Sequence, residues 1–235
     1  MNINYLLCMA PGFLLMLITS WYVKSAYRKW SQVAARSGMT GYQAAQRLIA
    51  AGGLQGVQIE GVAGNLTDNY DPRTKILHLS QSVAQNPSVA SIAVAAHELG
   101  HAQQDAQGYF PLRFRSALVP IVSIGSNLGW ILIMLGLFLS YAGMALGVDI
   151  AWLGVAVFAG GAVFALATLP VELNASARAR RLLTETGIIS SPDEERGVSS
   201  VLNAAALTYV AALMTAVMQL LYYASLVLGM GRRRK

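Results

Sequence analysis

His97, Glu98 and His101 stand together in the stretch Ser-Ile-Ala-Val-Ala-Ala-His-Glu-Leu-Gly-His-Ala-Gln-Gln from Ser91 to Gln104. Small and apolar residues without a proline predict a helix here, and Ser88, just after Pro87, is placed to cap it. On a helix the two histidines stand one turn apart on one face, so both imidazoles can reach a single metal ion. Glu98 follows the first of them and can lie beside the metal's open position, where a carboxylate can take a proton from water. This H-E-x-x-H spacing is the one that zinc-dependent peptide hydrolysis uses. The bland reading is a helix with two solvated or core-satisfied histidines. Against it, two of the chain's three histidines sit at ligand spacing around a glutamate.

A catalytic zinc usually has three protein ligands and one exchangeable position. His78 is the remaining histidine and Cys8, the single cysteine, lies in an apolar segment, so the third ligand is expected to be a carboxylate. Glu172 stands out because it opens a helix just past an apolar run, and the other charges of that helix are basic. Two readings of it stand at this point: a metal ligand, or a glutamate favoured by the positive end of the helix dipole.

The elements that must position these groups belong to an unusually apolar chain. Of 235 residues, 55% are hydrophobic and 12% charged, about half the charge of an ordinary soluble domain. The reading is mainly α: a multi-span helical membrane protein with a small zincin-like α+β cytoplasmic domain built on the H-E-x-x-H helix. Residues 5–23 are expected to form an uncleaved transmembrane anchor, with no positive residue before it and Lys24, Arg28 and Lys29 after it. Residues 31–115 read as a cytoplasmic peptidase segment. Thr40 is placed to cap a helix that Gly52 and Gly53 end, and strands are expected at Val57–Val62 and Lys75–Ser80, with turn signals at Gly64-Asn65 and Asp71-Pro72. Such a sheet could hold an extended peptide along an edge strand, or be a plain hairpin packed on the helix. Residues 117–140 and 150–169 are uncharged and long enough to span a membrane. Pro170 is expected to close the second of these, and residues 170–200 to form a cytoplasmic helix and linker carrying Glu172. Ser191, Pro192 and Glu194 read as the N-cap, first turn and capping box of a helix leading into a last apolar segment, residues 201–230.

The formal charge of +6 does not point to nucleic acid, because the basic residues flank apolar runs instead of clustering in one aromatic-studded domain. Nine lie between Lys24 and Arg115 and four between Arg178 and Arg196, which places both segments, and with them the candidate site, on the cytoplasmic side of an inner (plasma) membrane. The last four, Arg232, Arg233, Arg234 and Lys235, fall on the wrong side of that rule if residues 201–230 span fully.

Beyond these local readings, the chain resembles the YugP-like family of bacterial membrane-bound neutral zinc metallopeptidases. The stretches that carry the resemblance begin at Leu66 (Leu-Thr-Asp-Asn-Tyr-Asp-Pro-Arg-Thr-Lys), Val94 (Val-Ala-Ala-His-Glu-Leu-Gly-His-Ala-Gln-Gln), Leu169 (Leu-Pro-Val-Glu-Leu-Asn-Ala-Ser-Ala-Arg-Ala) and Leu202 (Leu-Asn-Ala-Ala-Ala-Leu-Thr-Tyr-Val-Ala-Ala). The resemblance implies one zinc per chain held by His97, His101 and Glu172, with Glu98 as general base. The layout is also similar to the HtpX and CAAX-protease class, in which an Asp follows the ligand glutamate by four residues. Here that position is Ser176, so which group supports the first histidine stays open between Asn174, Ser176 and a backbone carbonyl. An oxyanion donor is needed as well, and Tyr209, Tyr70 and His78 are the candidates.

The function expected is hydrolysis of peptide or membrane-protein substrates at the cytoplasmic face of the lipid bilayer. The competing reading is a non-catalytic, zinc-stabilised membrane adaptor or assembly factor. Glu98, which a structural zinc does not need, favours the enzyme.

Overall fold

The computed structural model describes residues 3–232; the last three residues of the basic C-terminal tail lie outside them. Seven helices and three strands follow in the order α1 (Ile3–Ser31), α2 (Gly41–Ala51), β1 (Gln58–Val62), β2 (Asn69–Asp71), β3 (Ile76–Ser80), α3 (Gln81–Ala84), α4 (Val89–Ala106), α5 (Phe110–Tyr141), α6 (Leu146–Glu185) and α7 (Pro192–Arg232). The protein is mainly helical, and α1, α5, α6 and α7 are each long and apolar enough to cross a membrane. The chain divides into two compact units. One draws on α1 up to Ile18, on Phe114–Leu169 and on α7 from Tyr209; the other consists of Thr19–Arg113 and Pro170–Thr208.

In the first unit α5 and α6 meet through glycines spaced seven apart. A Cβ on Gly136 would sit 2.4 Å from the Ala151 nitrogen, and one on Gly154 2.6 Å from the Ile133 nitrogen. Small residues that let backbones touch are how helices associate where surrounding lipid is as apolar as the side chains. Ile133, Ala151, Val155, Tyr223 and Val227 form the buried cluster of this unit.

The second unit is built around β3 and α4. Leu48, Leu77, Leu79, Ile92 and Leu99 are fully buried, each worth about 1.5–3 kcal/mol of transfer free energy. Four of the five come from β3 and α4, so these elements form its centre. The small residues Ala90, Ala93, Ala95, Ala96 and Ala102 allow α4 to be enclosed on nearly all sides. Ser88 caps it, its hydroxyl accepting from the Ser91 amide at 3.2 Å. At α2, Thr40 and Gln43 make a reciprocal capping box.

The sheet differs from a plain hairpin. Its order is β1-β3-β2, with β1 parallel to β3 and β2 antiparallel to it. Gly64 and Leu66 both take positive φ, but the chain then crosses to the far side of β3 before pairing. Leu77 and Leu79 are buried, which makes β3 the central strand with a partner on each edge. Asp68 holds the crossover in place by accepting from the Ser80 amide at 2.7 Å.

Pro170 does not end the helix: it lies inside the continuous helix α6. A proline removes one backbone hydrogen bond, and the residues beyond it (Val171, Ala175, Ala179, Leu182 and Leu183) are buried in the second unit. Their packing outweighs that loss and carries the helix on to Glu185. The segments expected at 170–200 and 201–230 are likewise joined, because α7 runs unbroken from Pro192.

The start of α7 is fixed by Glu194, which lies ahead of the apolar run beginning at Val198. Its carboxylate accepts from the Arg36 amide at 2.8 Å and from the Ser191 hydroxyl at 3.0 Å, and Ser191 accepts in return from the Glu194 amide at 3.3 Å. Burial alone would raise the Glu194 pKa; the amide of Arg36 and the Ser191 hydroxyl outweigh it and hold the carboxyl below its usual range. A depressed folded-state pKa contributes stability that is complete above the unfolded value and lost as pH falls through the folded one. Glu194→Gln is therefore expected to cost about 1–2 kcal/mol at neutral pH. In thermal melts of wild type and variant the gap should close below about pH 4; a gap that persists unchanged into acid contradicts the ionic account.

Candidate metal centre

Helix α4 presents His97 and His101 on one face, their rings edge to face with centroids 4.9 Å apart. The opposing face belongs to α6. Both Nε2 atoms converge on one oxygen of Glu172, at 3.2 Å from His97 and 3.4 Å from His101. Among the described residues His97, His101 and Glu172 form a group whose ligand atoms all lie within 4.8 Å of one another. The imidazoles are 13% and 11% exposed and the carboxylate 4%, so the group is sheltered but reachable.

What allows this convergence is Gly100, midway between the histidines. A Cβ there would lie 2.4 Å from the Ala175 carbonyl oxygen and 3.0 Å from its carbon. Only glycine lets the two backbones approach so closely. The helices run antiparallel at the contact, which sets His101 opposite Glu172 and His97 opposite Ser176.

Each imidazole is held from behind at Nδ1. Ser176 Oγ lies 3.2 Å from His97 Nδ1, and His101 Nδ1 lies 3.0 Å from Gln104 Oε1. The group that supports the first histidine is thus Ser176 itself. Asn174 makes no such contact; its Oδ1 accepts from Gln104 Nε2 at 3.0 Å and from Arg178 Nε at 2.7 Å.

One oxygen of Glu98 faces the sheet. Its Oε2 accepts from the Tyr70 amide at 3.1 Å. The Tyr70 hydroxyl donates to Asp105 at 2.8 Å, and Lys75 forms an ion pair with the same carboxylate. Asp105 is seven residues beyond Glu98, on the same face of α4, so the β2–β3 hairpin is pinned along that face. Burial pushes the Glu98 pKa up, against the opposing pull of the two nearby imidazoles. Glu172, beyond the apolar run that ends at Leu169, is driven the opposite way. Burial would raise its pKa, but the imidazoles of His101 and His97 that face it outweigh that and hold it far below the usual carboxylate range.

The three oxyanion candidates stand on three different elements. The Tyr70 hydroxyl is taken by Asp105, His78 stands on β3 in register with Glu60 and Asn69, and Tyr209 belongs to α7 in the other unit. Three contributors were not singled out in the sequence: Gln104, Asp105 and Arg178. Helical spacing was the available signal, since Gln104 falls three residues after His101 and Asp105 seven after Glu98.

Two imidazoles and one carboxylate from two helices form a donor set that could hold a metal ion, with a second glutamate outside it. The model of the family described as "Putative neutral zinc metallopeptidase" matches residues 5–228, and the chain belongs to that family. It is 40% identical over 208 residues, 88% of this chain and 89% of the relative, to a Bacillus subtilis (strain 168) protein described as "Putative membrane protease YugP". No solved structure matches the chain.

Because a metal site tolerates ligand shifts of only about 0.2 Å, Gly100→Ala should spread the two helices and weaken zinc binding at least tenfold. The overpacking should also cost about 1–3 kcal/mol of stability. Chelator competition on purified protein measures the first effect, and unchanged affinity would mean the α4–α6 approach does not set the ligand geometry.

Proposed function

We propose that the protein is a zinc metallopeptidase that hydrolyses peptide bonds of peptide or membrane-protein substrates at the cytoplasmic face of the inner membrane, with His97, His101 and Glu172 holding one zinc and Glu98 as general base. The observation that carries this is the convergence of both Nε2 atoms and a buried carboxylate within 4.8 Å, with Glu98 outside the set. The donor chemistry fits zinc: neutral imidazole nitrogen and carboxylate oxygen are ligands it prefers, and three protein ligands leave a fourth position for substrate or water. In this reading the fold of the second unit is a small zincin-like domain built on α4.

Bound there, zinc supplies a Lewis acid that polarises the scissile carbonyl and lowers the pKa of a water toward about 7. The remaining steps belong to side chains. The Tyr70 amide occupies Glu98 Oε2, which leaves Oε1 to take the proton of the attacking water and return it to the leaving amine. Burial favours the protonated form of Glu98, which suits a group that must accept a proton. Ser176 and Gln104 keep both Nδ1 atoms engaged, so the rings present Nε2 to the metal. The cytoplasmic assignment is supported by the nine basic residues between Lys24 and Arg115 and the four between Arg178 and Arg196.

Glu98→Gln separates an enzyme from a zinc-stabilised adaptor. The substitution keeps size and removes the base, so zinc content, folding and membrane insertion should match wild type. Cleavage of an unstructured reporter peptide should fall by about two to four orders of magnitude, about 3–5 kcal/mol in the barrier. If the variant instead restores function in a deletion strain as well as wild type does, the role is not proteolytic.

A further inference from the structure

Gln104 is fully buried, one residue type that is costly to enclose unless every polar atom is paired. All of its side-chain atoms are paired, and each pairing has a direction. Nε2 faces the Val171 carbonyl at 2.8 Å and Asn174 Oδ1 at 3.0 Å. A backbone carbonyl can only accept, so the atom facing Val171 is the amide NH2 and the atom facing His101 Nδ1, at 3.0 Å, is the carbonyl oxygen. The His101 nitrogen at that contact must then carry its hydrogen, which leaves Nε2, the atom aimed at Glu172, as a lone pair in the neutral ring.

The orientation of Asn174 is fixed in the same way. Arg178 Nε lies 2.7 Å from it, and a guanidinium has no acceptor, so Asn174 must turn its oxygen toward both Arg178 and Gln104. Arg178 is itself anchored: its Nη1 donates to Gln107 at 2.6 Å and to Gln103 at 3.3 Å, and its guanidinium lies over the Tyr109 ring. A charge that does not titrate in the physiological range thus reinforces, through two amides that cannot titrate, the direction that the Val171 carbonyl sets.

We infer that Gln104 is a positioning residue that holds His101 with its hydrogen on Nδ1 and its lone pair on Nε2, its direction fixed by the Val171 carbonyl together with Asn174, whose oxygen Arg178 turns toward it. This rests on the zinc reading proposed above. His97 is held differently, by a hydroxyl that can donate or accept, so the directed support belongs to the second histidine alone.

The test uses full-length zinc-loaded protein in detergent, with 15N-labelled histidine. Two quantities are read: zinc affinity by chelator competition, and the exchange-protected Nδ1–H signal of His101. Gln104→Leu is expected to weaken zinc binding about 10- to 100-fold and to abolish the protection. Asn174→Asp still accepts from both Gln104 and Arg178, so it should stay within about threefold of wild type on the affinity scale, whereas Asn174→Leu should fall well below it. The Asn174 pair decides the question if Gln104→Leu does not fold. Wild-type affinity and protection in Gln104→Leu, or equal losses in Asn174→Asp and Asn174→Leu, would overturn the inference while leaving the zinc site standing. A wild-type protein that binds no zinc would instead remove the metal reading itself, and this inference with it.

Discussion

At Gly100 the backbone of α4 comes so near to α6 that even a methyl group would collide with the Ala175 carbonyl, 2.4 Å away. Glycine inside a helix costs roughly 1 kcal/mol relative to alanine, and here that cost is offset by what the approach permits. It sets His101 against Glu172, His97 against Ser176 and Gln104 against the Val171 carbonyl in successive turns. A wider separation would leave the Glu172 carboxylate and the Gln104 amide buried without their partners, and buried polar groups without partners are expensive. The close contact and the polar pairing therefore stabilise one another.

Around the same helix, two glutamates face opposite surroundings. Glu172 lies between imidazoles that favour its charged form, which suits a ligand. Glu98 lies against the sheet, where burial disfavours its charge and one oxygen is held by a backbone amide. Carboxyls driven in opposite directions by their environments fit the division of binding from proton transfer proposed for Glu172 and Glu98. The β2–β3 hairpin belongs to this division, because the Tyr70 hydroxyl and Lys75 both fasten it to Asp105 on α4.

Local chemistry made much of this legible in advance. The caps at Thr40, Ser88 and Ser191 are short-range patterns, and the i, i+4 spacing of the histidines needs only a helix to bring them to one face. What depended on distant partners was not legible. The parallel pairing of β1 with β3 follows from β3 being buried at the centre, which alternation alone cannot reveal. Pro170 reads as a helix end until the packing of Val171, Ala175 and Ala179 is known. Asn174 and Ser176 are both near enough in sequence to support a histidine, and the antiparallel crossing of α4 and α6 decides between them.

Zinc K-edge X-ray absorption of the purified full-length protein would read out the proposed zinc site of His97, His101 and Glu172 without recourse to activity. The account predicts a first shell of nitrogen and oxygen at about 2.0–2.2 Å, with outer-shell scattering from two imidazoles that falls to one in His97→Ala. A sulfur shell near about 2.3 Å, or a spectrum unchanged in that variant, would contradict it.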